Sequence, residues 1–318
     1  MVVQYGRTGR HHTITREARH EYDRYFYEGI RVGSVQQRSN SLSFAAEQPG
    51  GRHAVSGLDV TRASESLRDD GFAVVHGQFS LAEVHAAQLL LDDLFKNFKA
   101  LASRPGRRCF AHDIAISRGD ERKLDQPEVL YPASFDPRLL ETAVFRSCAS
   151  FARSLSGSVS RSFDHAIVKN PHNESVTPWH QDAALSYVKP WPRPLQMDRL
   201  HFWVPMQDAT QENGCMEFIA GSHKQLLLEH MPMKSVENEN VLMTTPPPEG
   251  RRVACPVAAG GFTIHTPRTL HFTGRNATAQ PRKAWIIHFT RFGHAEIAIK
   301  RLFGRVPAAV RTTISPSI

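Results

Sequence analysis

The chain has 318 residues, of which 41% are hydrophobic and 22% are charged, and this ordinary balance for a globular protein argues against wholesale disorder. The net charge is +8, but the densest basic cluster, "RPGRR", contains no aromatic side chain, so nucleic acid is not an expected partner. No stretch approaches the roughly 20 apolar residues that a membrane span needs, so a membrane protein is not expected either.

The texture of the sequence changes along the chain and suggests three regions. Residues 1–57 are polar with little periodicity and are expected to form a partly ordered N-terminal extension. Residues 58–305 alternate between apolar and polar segments in the way that a folded domain requires. Residues 306–318 are expected to form a C-terminal tail.

Helical signals dominate the first part of this domain. The segment "TRASESLRDDG" predicts a short helix that ends at Gly71, and the following "FAVVHG" predicts a strand. Ser80 and Glu83 have the spacing of a capping box, and apolar residues then recur at helical spacing. A further helix is predicted over residues 137–156.

After Ser160 the sequence consists of short β-like segments separated by Gly, Pro and polar residues, which is typical of a sandwich or barrel. Asn213 and Gly214 lie between two of these segments and predict a β-hairpin. Neither a GxGxxG motif or P-loop in a βαβ setting nor a GxSxG motif is present, so nucleotide-binding and serine-hydrolase folds are not expected. The predicted strands lie in "FDHAIVKNP", "WHQDAALSY", "DRLHFWVPMQD", "CMEFIAGSH", "GGFTIHT", "TLHFTGRN" and "KAWIIHFTRF".

The stretch "TPWHQDAALSY" carries two strong polar groups two residues apart, His180 and Asp182. In an extended chain these side chains point to the same face, while Gln181 points away. One interpretation is a hydrogen-bonded pair on a solvated strand. The other is two of the three ligands of a 2-His-1-carboxylate site, which binds Fe(II) on one face and leaves the other face open.

A third ligand would have to come from a downstream histidine on another strand. An arginine near such a histidine would suit an enzyme that uses 2-oxoglutarate, because the planar guanidinium binds a carboxylate in bidentate fashion. In "LHFTGRNATAQPRKAWIIHF", His271 and Thr273 share a strand face, and Arg282 begins the next strand. His271 is therefore preferred as the ligand, with His265 in reserve. The candidates were His201, His223, His230, His265, His271, His288 and His294.

These residues resemble the phytanoyl-CoA dioxygenase (PhyH-like) family of Fe(II)/2-oxoglutarate oxygenases, over a span from about Leu67 to Phe292. The resemblance lies in "LRDDGFAVVHG", "WHQD", "FWVPMQDATQENGCMEFIAGSHK" and "GGFTIHTPRTLHFTGRNATAQPRKAWIIHF". An HxD pair alone is a weak signal, since similar pairs occur elsewhere in this chain. The ordered set of HxD, NGC, GSH and a histidine followed by arginine is specific.

The resemblance implies a mainly β fold with flanking helices, namely a double-stranded β-helix or cupin-like jelly roll. It implies that His180, Asp182 and His271 bind Fe(II), and that 2-oxoglutarate and O2 are co-substrates. Arg282 would then pair with the distal carboxylate of 2-oxoglutarate.

Further pocket residues also follow from the resemblance. Thr273 would lie beside the distal carboxylate, and Gln181 and Trp203 would line the co-substrate pocket. His165 falls where the family often has another pocket residue, so its polarity is a departure. A family lysine has no clear counterpart, and Lys123 aligns only loosely.

Two other features are interpreted from the residues alone. Trp179, Tyr187 and Trp191 are expected to form an aromatic wall over the substrate, with a hydrophobic patch as the alternative. Lys169 is interpreted as a charge at the end of a strand, and Trp203 has a place in the core as its alternative role.

The expected activity is oxidation, most simply hydroxylation, of an unactivated C–H bond of a small-molecule metabolite or natural product, with release of succinate and CO2. Desaturation, cyclisation or epoxidation by the same iron chemistry is an alternative, and a non-catalytic jelly roll that binds or senses a ligand is another. Halogenating relatives carry a small residue in place of the carboxylate of Asp182, so its presence favours oxygenation.

The cysteines and the N-terminus bear on where the protein works. Four cysteines lie apart without a CxxC pair, which argues against a zinc knuckle or a disulfide framework. The first residues lack the apolar stretch of a secretory signal. A cytoplasmic location is therefore expected.

Overall fold

Five α-helices and thirteen β-strands make up the described part of the chain, which in this computed structural model comprises residues 56–102, 111–113, 125–157, 159–184, 199–232 and 242–290. The helices are α1 (Gly57–Asp69), α2 (Leu81–Lys96), α3 (Phe98–Ala102), α4 (Pro132–Phe135) and α5 (Ala143–Ser156). Single 3₁₀ turns cover Pro137–Glu141, Asp182–Ala184 and Ser222–Lys224. The strands are β1 (Phe72–Val75), β2 (Ala111–Asp113), β3 (Pro127–Leu130), β4 (Ser160–Lys169), β5 (Thr177–His180), β6 (Arg199–Pro205), β7 (Met216–Ile219), β8 (Met231–Pro232), β9 (Leu242–Met243), β10 (Arg252–Cys255), β11 (Phe262–His265), β12 (His271–Thr273) and β13 (Arg282–Thr290).

The strands form two main antiparallel sheets. The large sheet has seven strands in the order β1-β11-β6-β13-β4-β3-β2, and the small sheet has four in the order β10-β7-β12-β5. From β4 to β7 and from β10 to β13, strands that follow one another in sequence belong to different sheets. This alternation is that of a jelly roll, so the predicted mainly β class is confirmed.

Helices α2 and α5 pack on one face of the large sheet and bury its aromatic residues. The ring of Phe151 on α5 meets Phe262 of the sheet edge-on at 5.4 Å, and Phe145 packs against the fully buried Trp285. The predicted capping box at the start of α2 is confirmed, because the Ser80 backbone N–H donates to the Glu83 carboxylate and the Glu83 N–H donates to Ser80 Oγ.

The predicted helix over residues 137–156 is wrong as a single element. Residues Pro137–Glu141 form a 3₁₀ turn, and α5 starts only at Ala143. Thr142 separates them because its backbone is extended, with φ −67° and ψ 150°, and its side chain accepts a hydrogen bond from the Phe145 N–H. The threonine is therefore an N-cap, which a search for apolar periodicity does not detect.

The predicted hairpin at Asn213 and Gly214 is also wrong. Strand β6 pairs with β11 and β13, whereas β7 pairs with β10 and β12, so this connection crosses from one sheet to the other. Gly214 is still needed, since its φ is +85° and a Cβ there would lie 2.4 Å from the carbonyl oxygen of Gly274. The glycine is needed because the connection between β6 and β7 passes close to the backbone at the end of β12.

The opposite face of the large sheet looks toward the small sheet. Phe72 of β1 stacks on Phe218 of β7 at 4.4 Å, and Trp203 and Ile286 join the same buried cluster. The side chains of β6, β11 and β13 therefore point alternately toward the layer of helices and into the space between the sheets. The polar residues of interest lie in this second space.

The predicted N-terminal extension and C-terminal tail lie almost entirely outside the described residues. This holds for residues 1–55 of the expected extension and for the expected tail at 306–318. None of the described helices combines the length and apolar composition that crossing a bilayer would require.

We predict that Gly214→Ala lowers the free energy of unfolding by about 1–3 kcal/mol, because an L-residue at this positive φ is strained and its Cβ would meet the Gly274 carbonyl. Equilibrium denaturation measures the change. Gly57→Ala is the matched control, since no atom lies within 4 Å of a Cβ added there. Equal losses in both variants would show that the crossing does not depend on glycine.

Candidate metal centre and co-substrate pocket

Three ligand-type side chains converge at one end of the small sheet. Single donor atoms of His180, Asp182 and His271 all lie within 4.8 Å of one another. The antiparallel pairing of β12 with β5 places His271 directly opposite His180. The Nε2 atoms of these two histidines lie 3.6 and 3.7 Å from the carboxylate oxygens of Asp182.

Asp182 reaches this point in a different way from the one that the sequence predicts. Strand β5 ends at His180, and Asp182 begins the 3₁₀ turn Asp182–Ala184. The convergence of His180 and Asp182 is thus produced by a turn after the strand and not by strand alternation.

Backbone carbonyl groups orient both imidazoles. His180 Nδ1 lies 2.7 Å from the Pro178 oxygen, and His271 Nδ1 lies 2.9 Å from the Thr269 oxygen. A carbonyl oxygen can only accept, so Nδ1 carries a proton in each ring, and the neutral form of each ring presents a lone pair on Nε2. This is the tautomer that a metal ligand needs, with the partner that typically fixes it.

The charge of the cluster also suits a divalent cation. Burial alone would raise the pKa of the Asp182 carboxyl, but His271, His180 and His201 hold it well below its ordinary value. Burial, followed by the neighbouring imidazoles, lowers the pKa of His271 well below its ordinary value. One carboxylate and two correctly oriented imidazoles therefore fit Fe(II) in a 2-His-1-carboxylate arrangement.

Arg282 lies in the space between the sheets as an uncompensated cation. It is 1% exposed, its guanidinium lies 5.3 Å from the ring centre of Trp203, and its Nε has no hydrogen-bond partner in the described structure. Burial lowers its pKa to about 9, so it remains charged at neutral pH. The buried Thr273 Oγ1 likewise has no partner among the described residues. Such groups are costly unless a ligand supplies the missing acceptor.

Lys169 ends strand β4, as interpreted from the sequence, but its burial was not predicted. It is paired with Arg282 across β4 and β13 and is fully buried. Its Nζ donates to the carbonyl oxygens of Ser175, Thr273 and Gly274. The alternation of side chains along β4 could have indicated the inward position of Lys169, because Lys169 lies on the same strand face as His165.

Two predicted pocket residues have other partners. The amide of Gln181 donates to the Arg268 carbonyl and accepts from the Leu228 N–H, so it ties backbone segments together. His165 Nδ1 is hydrogen-bonded to the carboxylate of Glu128. The structure therefore brings Trp203, Thr273 and Arg282 into the space between the sheets, but engages Gln181 and His165 in contacts within the fold.

The predicted aromatic wall is not formed by Trp179. This ring stacks on Phe272 at 5.2 Å and lies in a buried cluster with Ile219 and Leu270, because it points away from the face that carries His180. Tyr187, Trp191 and Lys123 lie outside the described residues.

His201 was only one of several candidate histidines, yet it lies at the centre of the site. Its Nδ1 is 2.7 Å from Asp182 Oδ2, and Asp182, His201 and His265 form a second group of ligand-type atoms within 4.8 Å. His201 precedes Trp203 by two residues on β6. Residues two apart on a strand point to the same face, so the spacing of His201 from Trp203 could have predicted that His201 faces the pocket.

Comparison with known proteins identifies the family. The profile of the phytanoyl-CoA dioxygenase (PhyH) family matches residues 67–284, which is more than half of the chain. The chain belongs to this family. It is accordingly a 2-oxoglutarate-dependent dioxygenase, and the expected family and enzyme class are confirmed.

The share of each similar protein that aligns with this chain varies. Phytanoyl-CoA dioxygenase domain-containing protein 1 of Bos taurus is 25% identical over 70% of this chain and 87% of that protein. The protein of the same name from Mus musculus is 32% identical over 38% of this chain and only 42% of that protein. The crystal structure of EvdO2 from Micromonospora carbonacea var. aurantiaca, complexed with 2-oxoglutarate, is 31% identical and covers 75% of this chain and 92% of that chain, with a TM-score of 0.58.

We predict that His271→Ala abolishes turnover, whereas His265→Ala leaves measurable Fe(II) binding. Thr269 fixes the His271 tautomer, but neither ring nitrogen of His265 has a hydrogen-bond partner among the described residues. Anaerobic Fe(II) titration and a succinate assay of both variants provide the test. The opposite pattern would assign the third ligand to His265.

Proposed function

We propose that this dioxygenase hydroxylates an unactivated C–H bond of a small-molecule metabolite or natural product and releases succinate and CO2. His180, Asp182 and His271 would hold the metal. When bound, Fe(II) supplies the activation of O2 that couples decarboxylation of 2-oxoglutarate to oxidation of the substrate. The equation balances, because one oxygen atom of O2 enters succinate and the other enters the hydroxyl group of the product.

The observation that carries this proposal is the buried, uncompensated guanidinium of Arg282. The distal carboxylate of 2-oxoglutarate would satisfy it with charge-assisted hydrogen bonds. Trp203 supports the guanidinium from one side, and Thr273 offers a hydroxyl group on strand β12 of the small sheet. Lys169, which is paired with Arg282 across β4 and β13, donates from Nζ to backbone carbonyl groups at the same end of the site.

A non-catalytic jelly roll would not need this combination. A binding protein could use Arg282 for an anionic ligand, but it would have no use for two imidazoles whose backbone partners direct their lone pairs at one carboxylate. Substrate-dependent formation of succinate is the direct assay of the catalytic activity. Screening a metabolite library by mass spectrometry, with Fe(II) and 2-oxoglutarate present, would also distinguish hydroxylation from desaturation, cyclisation or epoxidation.

We also propose that the enzyme works in a reducing compartment such as the cytoplasm. Cys148, Cys215 and Cys255 are buried and free. Burial raises the pKa of all three thiols, to about 11 for Cys215 and about 12 for Cys255, so none is primed for oxidation.

We predict that Arg282→Ala raises the KM for 2-oxoglutarate by roughly 10- to 150-fold, since a hydrogen bond to a charged group contributes about 1.5–3 kcal/mol. Arg282→Lys should recover only part of the loss, because an ammonium lacks the planar fork. Steady-state kinetics at saturating Fe(II) measure both. An unchanged KM in Arg282→Ala would place the carboxylate anchor elsewhere.

We further predict that turnover in chloride or bromide gives an oxidised product without halogen. Three protein groups, two donor atoms of 2-oxoglutarate and O2 would together fill six positions and leave none for a halide. Asp182 also adds negative charge, which disfavours an anion. Mass spectrometry of the product is the check, with Asp182→Gly as the comparison that should lose oxygenation. A halogenated product from the unaltered enzyme would contradict this view.

A further inference from the structure

The carboxylate of Asp182 has one hydrogen-bond partner at normal distance among the described residues. His201 Nδ1 lies 2.7 Å from Oδ2, whereas Nε2 of His180, His265 and His271 lies 3.6–3.7 Å away. We propose that His201 is a positioning residue, which fixes the plane of the Asp182 carboxylate so that it faces His180 and His271. This inference rests on the proposed metal site and adds a residue that acts through one of its ligands.

The direction of this hydrogen bond follows from charge. An ionised carboxylate can only accept, so His201 Nδ1 carries the proton and donates it. Nε2 is then unprotonated, and it has no partner among the described residues.

The ring of His201 is held in place by its neighbours. The register of the large sheet puts His265 of β11, His201 of β6 and His288 of β13 directly side by side. His201 stacks on His288 at 3.6 Å with an angle of 14° between the planes, and it meets His265 edge-on at 5.1 Å. It is 1% exposed. A donor confined in this way is pre-organised for Asp182.

Asp182 needs such support because of its place in the chain. It lies in a single 3₁₀ turn after β5, so no strand pairing fixes its side chain. Rotation of its carboxylate would move the donor oxygen away from the two imidazoles. Hydrogen bonds to ligating carboxylates commonly provide this kind of restraint.

A second metal ion between Asp182, His201 and His265 is a poorer explanation of the same contacts. Metal–ligand bonds of about 2.0–2.2 Å at tetrahedral or octahedral angles separate two ligand atoms by roughly 2.8–3.6 Å, as bond geometry requires. The 2.7 Å between His201 Nδ1 and Asp182 Oδ2 is shorter and is that of a charge-assisted hydrogen bond.

The test compares three variants of the full chain by anaerobic titration of the metal-free protein with Fe(II). His201→Phe keeps a flat ring but removes the donor, and it should weaken Fe(II) binding roughly 10- to 100-fold. His201→Asn places an amide N–H near the position of Nδ1 and should restore affinity to within a few-fold of the original. His288→Phe is the matched control, which keeps a stacked ring and should also bind within a few-fold.

Unfolding curves of the metal-free variants show whether weaker Fe(II) binding comes from a less stable fold or from a less well oriented Asp182 carboxylate. If His201→Phe is folded and binds Fe(II) as tightly as the original chain, the proposal is overturned. A folded His201→Asn that binds as weakly as His201→Phe overturns it as well. If His201→Phe fails to fold, His201→Leu takes its place with the same expectation.

Failure of the proposed function would look different. The charge-transfer absorption that appears when 2-oxoglutarate chelates Fe(II) under anaerobic conditions should form in the original chain and, at saturating Fe(II), in all three variants. Its absence from the original chain would remove the proposed function itself. Its presence there, with unchanged Fe(II) affinity in His201→Phe, would remove only the role of His201.

Discussion

The antiparallel pairing of β12 with β5 is the constraint on which the site depends. It sets His271 opposite His180, and the same strand β12 pairs on its other side with β7. A shift of one residue would turn His271 and Thr273 away from the space between the sheets, since side chains alternate along a strand. Burial of Phe272 and Trp179 against each other on the opposite face opposes such a shift.

Charge is separated along the space between the sheets. The carboxylate of Asp182 lies among imidazoles at one end, whereas Arg282 and Lys169 lie next to each other at the start of β13 and the end of β4. Two neighbouring buried cations raise each other's cost, and the pKa of Lys169 is lowered accordingly by burial and by Arg282. Backbone carbonyls offset this cost for Lys169 but not for Arg282. The fold thus leaves a buried positive charge without a counterion at one defined place, and a dicarboxylate co-substrate would supply that counterion.

The histidines of the large sheet form a second organising feature. His265, His201 and His288 are cross-strand neighbours, and burial lowers the pKa of each. Neutral imidazoles can pack against one another without the repulsion that like charges would cause. The three rings therefore fill the space between the strands and can also direct one N–H at Asp182, whereas aliphatic side chains at the same positions could not.

The sequence by itself determined the family and the mainly β class, and it predicted residues for the metal and co-substrate positions, because these depend on ordered motifs whose chemistry can be recognised locally. The spacing of His180 and Asp182, the histidine of β12 and the arginine that opens β13 are all of this kind. Capping of α2 was also local and was predicted correctly.

Only the tertiary structure decided which strands share a sheet. Asn213 and Gly214 look like a hairpin because turn preferences describe four residues, whereas the pairing of β6 and β7 depends on strands far away in sequence. The burial of Lys169 and the contact of His201 with Asp182 were not predicted for the same reason. Burial and hydrogen bonding between β4 and β12, or between β6 and the turn after β5, arise only when distant segments meet, and no local pattern specifies that distance.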